Sequence, residues 1–168
     1  KVTVSEAGSI TTGTGAYAYG IYNIGSTNTT TVSGSITTAG YQSIGIYNLG
    51  SNNTTTVSEA GSITTTGSIS SGIWNYGSTN TTTVSGSIKT GGNYAYGIFN
   101  DGAYNTTTVS GSITTAGSSA YGIRNNGDDN VTTVSGSIKT EGNNSHGIRN
   151  YGDDNVTTIS GTVKATGA

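Results

Sequence analysis

The phrase Gly-Ile-x-Asn-x-Gly begins at Gly20, Gly45, Gly72, Gly97, Gly122 and Gly147, at steps of 25, 27, 25, 25 and 25 residues. A period of this size marks one supersecondary unit copied along an axis, each copy meeting mainly its neighbours. A second phrase follows each time, Asn-Thr-Thr-Thr-Val-Ser from Asn28, Asn53, Asn80 and Asn105, and Asn-Val-Thr-Thr-Val/Ile-Ser from Asn130 and Asn155. The chain therefore reads as a single domain, 1–168, with units near 5–31, 32–56, 57–83, 84–108, 109–133 and 134–158 and a partial unit at 159–168.

Between the phrases lie short runs of Thr, Ser, Val, Ile and Tyr, such as Tyr19 to Asn23, Thr29 to Ser33 and Ser35 to Thr38. These residues favour strands, and turn residues bound each run. No 3.6-residue apolar spacing persists across the glycines, so a helical repeat is disfavoured. The 28 glycines fall at fixed phases, which separates the chain from a disordered Gly/Ser/Thr tract. Proline is absent, as suits continuous strands whose amides all need ladder partners.

These features predict an all-β right-handed parallel β-helix, a β-solenoid of about 25 residues per coil and six to seven coils, each coil holding three short strands and three turns. Coils of about 18 residues would suit a left-handed hexapeptide helix better. Stacked about 4.8 Å apart, the coils make a rod on the order of 30 Å long. Val32, Ile36 and Ile21 are predicted inward, as are Val57, Ile63, Ile46, Val84, Ile88 and Ile73. Two units carry two extra residues in a turn, at Val4 to Ile10 and Val57 to Ile63. The segment after Thr12, Thr38, Thr65, Thr90, Thr115 and Thr140 varies most and is predicted to be the free surface.

Asn23, Asn48, Asn75, Asn100, Asn125 and Asn150 are expected to form one ladder of carboxamides, satisfying turn backbone and bonding to their equivalents above and below. Asn28, Asn53, Asn80, Asn105, Asn130 and Asn155 are expected to form a second. The latter six also begin Asn-x-Thr sequons, and Asn143-Asn144-Ser145 is another. Glycans at neighbouring rungs would crowd, which favours turn Asn followed by strand Thr.

With Gly-Ser-Ile-Thr-Thr at Gly34 to Thr38 and Ala-Tyr-Gly-Ile at Ala18 to Ile21, Ala95 to Ile98 and Ala120 to Ile123, the chain resembles the passenger repeats of bacterial autotransporters and related surface adhesins. The likeness covers essentially the whole chain. It implies an extracellular or cell-surface β-helix working as a stalk, adhesin or fibre, and it carries over no catalytic residue.

Tyr22, Tyr47, Trp74 and Phe99 follow the inward Ile, so alternation points them outward, with Arg124 and Arg149 continuing the column. Such a stripe is a self-stacking ladder, a lateral contact for another rod or a platform for glycan rings. The change to Arg predicts that the stripe ends before the last two coils. Asp128, Asp129, Asp153 and Asp154 occupy equivalent turns, where Arg124 and Arg149 are the nearest predicted counterions and a weak Ca²⁺ site is the alternative. The pairs Thr29 and Thr31, Thr54 and Thr56, Thr81 and Thr83, and Thr106 and Thr108 make an outward Thr array resembling ice-binding solenoids, interrupted by Val131 and Val156. His146 stands alone where other units place Tyr19, Ile44, Ser71, Tyr96 and Tyr121.

No catalytic constellation is apparent, so the expected role is non-catalytic, and no cofactor is implied beyond that Ca²⁺ alternative. Six Lys and Arg against eight Asp and Glu form no basic stripe for nucleic acid, and no apolar run long enough to insert in a membrane exists. A chain that opens at Lys1, lacks Met and shows no signal peptide reads as an excised or processed product. Lys1 and Ala168 fall in the same portion of a coil without caps, so the expected partners are copies of the chain end to end, or further coils of a parent chain. The alternative is a binding module for glycans.

Overall fold

The structure, a computed structural model, describes residues 1–167. Ala168, the last residue of the partial unit, lies outside the described residues. Twenty strands and no helix make up the described chain. They sort by phase into three parallel sheets: seven strands of the Thr-Thr-Thr-Val type, seven of the Ser-Ile-x-Thr type and six of the Ile-x-Asn type. One coil runs through the third sheet at Ile21–Ile24, the first at Thr29–Val32 and the second at Ser35–Thr38, then returns to the third at Ile46–Leu49. This is the predicted parallel β-solenoid of about seven coils, roughly 25 residues each.

Register places like on like. Val32 pairs with Val57, Ile36 with Ile63 and Ile46 with Ile73. Shifting one strand by a residue would turn every inward side chain out, so the repeated pattern fixes the pairing. Val32, Ile36 and Ile46 are fully buried, and their equivalents form one continuous apolar cluster along the axis. The two-residue insertions are absorbed by tight turns: the Gly61 amide donates to the Ser58 carbonyl at 2.8 Å, and Ser62 then rejoins the ladder at Gly34.

Only part of the interior is hydrocarbon. Alternation also brings Thr30, Thr38 and Asn48 inward, and all three are buried. Each finds a partner, as a buried polar group must. Asn48 Nδ2 donates to Thr55 Oγ1 at 3.0 Å, tying the third sheet to the first, and Thr90 Oγ1 donates to the Ala95 carbonyl at 2.7 Å, tying the second sheet to the loop.

The variable loop is not wholly free surface. Ser43, Ile44, Ser70, Ala95, Ala120 and Ser145 are buried in it. The Ser43 amide donates to Ser70 Oγ at 2.9 Å, and Ser70 Oγ donates to the Gly40 carbonyl at 2.8 Å, so the loop has a ladder of its own.

Most glycines serve close approach. A Cβ on Gly97 would lie 2.3 Å from Ile113 Cγ2 and 2.5 Å from the Gly122 carbonyl oxygen. Left-handed backbone is instead adopted largely by other residues, in two columns: Tyr17, Gln42, Ile69, Tyr94, Ser119 and Asn144, and Thr27, Asn52, Thr79, Tyr104, Asp129 and Asp154.

Candidate functional site

The outward column of the third sheet is the most distinctive surface. Tyr22 stacks on Tyr47 at 5.3 Å between centroids, Tyr47 on Trp74 at 5.2 Å, and Trp74 approaches Phe99 at 5.1 Å. Strand register sets this spacing, because Tyr47 pairs with Trp74 and Phe99 with Arg124 across the ladder. The stripe is a self-stacked ladder, but it is not uniformly open. Tyr22 is 45% exposed, whereas Phe99 is 7% exposed.

Cover comes from a second column, contributed by the loop just before each Gly-Ile. Tyr19 packs against both Tyr22 and Tyr47, and Tyr96 meets Phe99 edge-on at 5.4 Å. Tyr96, Tyr121 and His146 then stack on one another at 5.2 and 5.1 Å. The aromatic surface thus shifts sideways by one column where the arginines begin. His146 is the last ring of that stack.

The arginines join the rings, which corrects the expected pairing with the aspartates. The Arg124 guanidinium lies over Tyr96 and Phe99 at 5.2 and 5.0 Å, and Nη1 donates to the Tyr96 hydroxyl at 2.7 Å. Nε donates to Asn126 at 2.8 Å. Arg149 repeats the arrangement, lying over Tyr151 and donating to the Tyr121 hydroxyl. A guanidinium stacks on aromatic faces while keeping in-plane donors available, so the rings of the adjoining coil are a better site for it than a solvated carboxylate. Burial raises the Tyr96 phenol above its ordinary value, although Arg124 pulls the other way, and burial also raises Tyr19 and Tyr47.

Asp128, Asp129, Asp153 and Asp154 lie on exposed or half-exposed turns. Asp128 Oδ1 accepts from the Asp153 amide at 2.8 Å, so one carboxylate is used in the turn ladder. The Asp129 carboxylate beside Tyr104 raises that phenol. Among the described residues no three or more His, Cys, Asp or Glu side chains gather into a group that could hold a metal ion. Lys139 and Glu141 form the one ion pair among the described residues, and the lysine lowers the glutamate.

Both asparagine ladders are present, with different jobs. Asn23 donates to Asn48 at 2.7 Å, and the same bond continues through Asn75, Asn100, Asn125 and Asn150 at 2.8 Å. These side chains lie in strands and serve the interior, not the bend. The second ladder holds the turn: Asn53 Oδ1 accepts the Asn28 amide at 2.8 Å, and Asn53 Nδ2 donates to the Gly50 carbonyl at 3.0 Å. Asn53, Asn80, Asn105 and Asn130 are buried, so a glycan on Nδ2 would have to displace the packing around them. Thr29 and Thr31 face outward as expected, with Thr30 between them buried.

The sequence groups Tyr19, Ile44, Ser71, Tyr96, Tyr121 and His146 as equivalent positions but does not show that they cover the outward column, and it does not mark the left-handed positions. The recurrence of Tyr at Tyr19, Tyr96 and Tyr121 was the available signal for the first. No family model matches this sequence, and neither a curated protein nor a solved structure matches it.

Proposed function

We propose that this chain is a non-catalytic structural segment of an extracellular or cell-surface rod, extended beyond its outermost coils by further coils of a longer polypeptide or by copies stacked end to end. One observation carries the reading: along both asparagine ladders the same donor meets the same acceptor at each rung, so the Asn positions of one coil face complement those of the face above. Asn150 accepts from Asn125, while its Nδ2 has only Thr157 at 3.4 Å. At the other face Asn23 donates twice, and its Oδ1 accepts nothing among the described residues. A further coil on either face gives these groups the partners that all inner rungs have.

The resemblance of the Gly-Ser-Ile-Thr-Thr and Ala-Tyr-Gly-Ile segments to adhesin passengers supports the extracellular placement. A coil face left open is a sheet edge, and head-to-tail contact between such faces does not close, which produces filaments. Electron microscopy of the purified chain should show filaments one solenoid wide. A species that stays monomeric in sedimentation at high concentration overturns stacking of copies.

A further inference from the structure

The outward positions of the first sheet carry no ring and, past Lys1, no charge. They form two columns. One runs Thr29, Thr54, Thr81, Thr106 and then Val131 and Val156. The other is threonine at every rung from Thr31 to Thr158, with Thr3 ahead of it. The second sheet differs, because it presents Lys89, Lys139 and Lys164 in one outward column. The third sheet carries the rings.

Three properties set this grid apart from an ordinary exposed sheet. Its spacing is regular in two directions, since rungs stand about 4.8 Å apart and the columns, two residues along a strand, about 6.6 Å apart. The Thr54, Thr81, Thr106, Val131 and Val156 amides each donate to an Asn carbonyl of the coil before, all at 2.8 or 2.9 Å. The grid is also anchored from within: the inward Thr30, Thr55, Thr82 and Thr107 each accept from a buried Asn at 2.9 or 3.0 Å. Finally, its hydroxyls are free. Thr29, Thr54, Thr81 and Thr106 are exposed, their neighbours in the second column are half-buried, and the outward hydroxyls from Thr29 to Thr108 bond to nothing among the described residues. β-Branching stiffens χ1, so methyl and hydroxyl groups stand in a fixed order.

We propose that the outer face of the first sheet binds ice. On the prism faces of hexagonal ice, water oxygens repeat at right angles, in one direction near the rung spacing and in the other near the column spacing. Water resting between the methyl groups and held by the hydroxyls therefore takes positions that a crystal face can continue. The grid is rigid before contact, so little side-chain freedom remains to be lost. Val131 and Val156 have the branched shape of Thr and extend the methyl rows to the last coil. Charged side chains would hold hydration shells of their own, and a neutral lattice is met here by a neutral face. A glycan platform calls for open rings, which lie on the third sheet instead. The inference does not depend on whether further coils extend the rod.

The full chain is assayed for thermal hysteresis and ice-crystal habit by nanolitre osmometry, with sedimentation run alongside. It should open a gap between melting and freezing that widens with protein concentration, and crystals held in the gap should be faceted. Thr81→Lys sets a charge in the middle of the grid, in the column that Lys1 begins, and should lose most of the gap while circular dichroism keeps the parent spectrum. Thr64→Lys makes the same change on the second sheet, in line with Lys89, and should leave the gap unaltered. Round crystals without a gap in the parent overturn the proposal whatever the variants do. An unaltered gap in folded Thr81→Lys, or equal loss in both variants, also overturns it. A side-by-side dimer that Thr81→Lys dissociates would assign the grid to a second copy and overturn it as well.

Discussion

Asn75 Nδ2 lies 2.8 Å from Oδ1 of Asn100, two buried side chains 25 residues apart in sequence and adjacent in space. Asn75 also donates to Thr82 at 3.0 Å and accepts from Asn48 at 2.8 Å. One carboxamide thus joins three coils and two sheets. A carboxamide can do this because it carries two donors and an acceptor in one plane. In the narrow core it is the counterpart of the Ile column.

Asn75→Ala should therefore cost more than a lost side chain of that volume. Asn100 loses its donor and Asn48 its acceptor, leaving buried groups unsatisfied on both sides, at about 2–4 kcal/mol in chemical denaturation. Asn75→Asp discriminates further. An ionised carboxylate there can accept from Asn48 but cannot donate to Asn100 or Thr82, so its folded-state pKa should rise. The neutral acid is then favoured by folding, so the variant is most stable below the unfolded-state value of about 4 and loses stability as pH rises through the folded-state value. A loss no larger at pH 7 than at pH 4 would show that the ladder polarity is not fixed.

Gly97→Ala tests the close approach of coils. The new Cβ meets Ile113 at 2.3 Å and a backbone carbonyl at 2.5 Å, and backbone cannot turn away as a side chain can. Overpacking of this kind costs about 3 kcal/mol or more. Gly13→Ala is the control, since nothing lies within 4 Å of its Cβ, and it should stay within about 0.5 kcal/mol of the parent.

The left-handed columns offer a gain instead. Thr79 is exposed and β-branched with φ 57°, whereas Asn52 holds the same position one coil earlier at φ 58°. Thr79→Asn should stabilise by about 0.5–1 kcal/mol, because Asn enters this region at lower cost. An unchanged or lower denaturation midpoint would mean that the Thr79 bond to Asn52, at 2.8 Å, outweighs the backbone term.

How far the sequence reveals these features depends on which physical signal each leaves. Val32, Ile36 and Ile21 are legible because apolar residues at a fixed phase have one place to go. The inward Thr30 and Thr38 follow from the same alternation, yet Thr is equally at home on an exposed strand, so composition disguises them. The two Asn ladders are visible as repeats, while their division into an interior bond and a turn cap is not, since both are Asn within three residues of the same Gly. Thr79 and Ile69 carry no mark of positive φ, because stacking on the neighbouring coil imposes it against local preference. The small Ser71 side chain is an exception in a column whose covering role becomes apparent only when Tyr19 and Tyr96 are seen against Tyr22 and Phe99.

Alkaline pH should loosen the aromatic face. Burial raises the Tyr19, Tyr47 and Tyr96 phenols, so the folded chain holds these protons longer than the unfolded one. Their contribution is complete below the unfolded value of about 10 and is lost as pH climbs through the raised folded values. Arg124→Gln removes the cation that lowers Tyr96, so that phenol should ionise later still by ultraviolet absorbance. Earlier ionisation in the variant would contradict the cation placement over the ring.

Whole-coil deletion tests whether the rung is the unit of stability. Removing 84–108 joins Thr83 to Val109, which are consecutive in phase because Thr83 pairs with Thr108 and Val84 with Val109. Asn75 then meets Asn125 in place of Asn100, and Val109 meets Val57, so every ladder closes again with one rung fewer. In a nearest-neighbour array this subtracts one coil and one interface, leaving a cooperative fold with a lower midpoint and a denaturant slope reduced with the buried area. Removing 84–96 is shorter but out of phase: it sets Gly97 and Ile98 where Val84 and Ser85 stood, so Ile98 loses its place over Ile73. That chain should lack a cooperative transition by circular dichroism. If the shorter deletion were instead the better tolerated of the two, chain length and not rung register would govern stability.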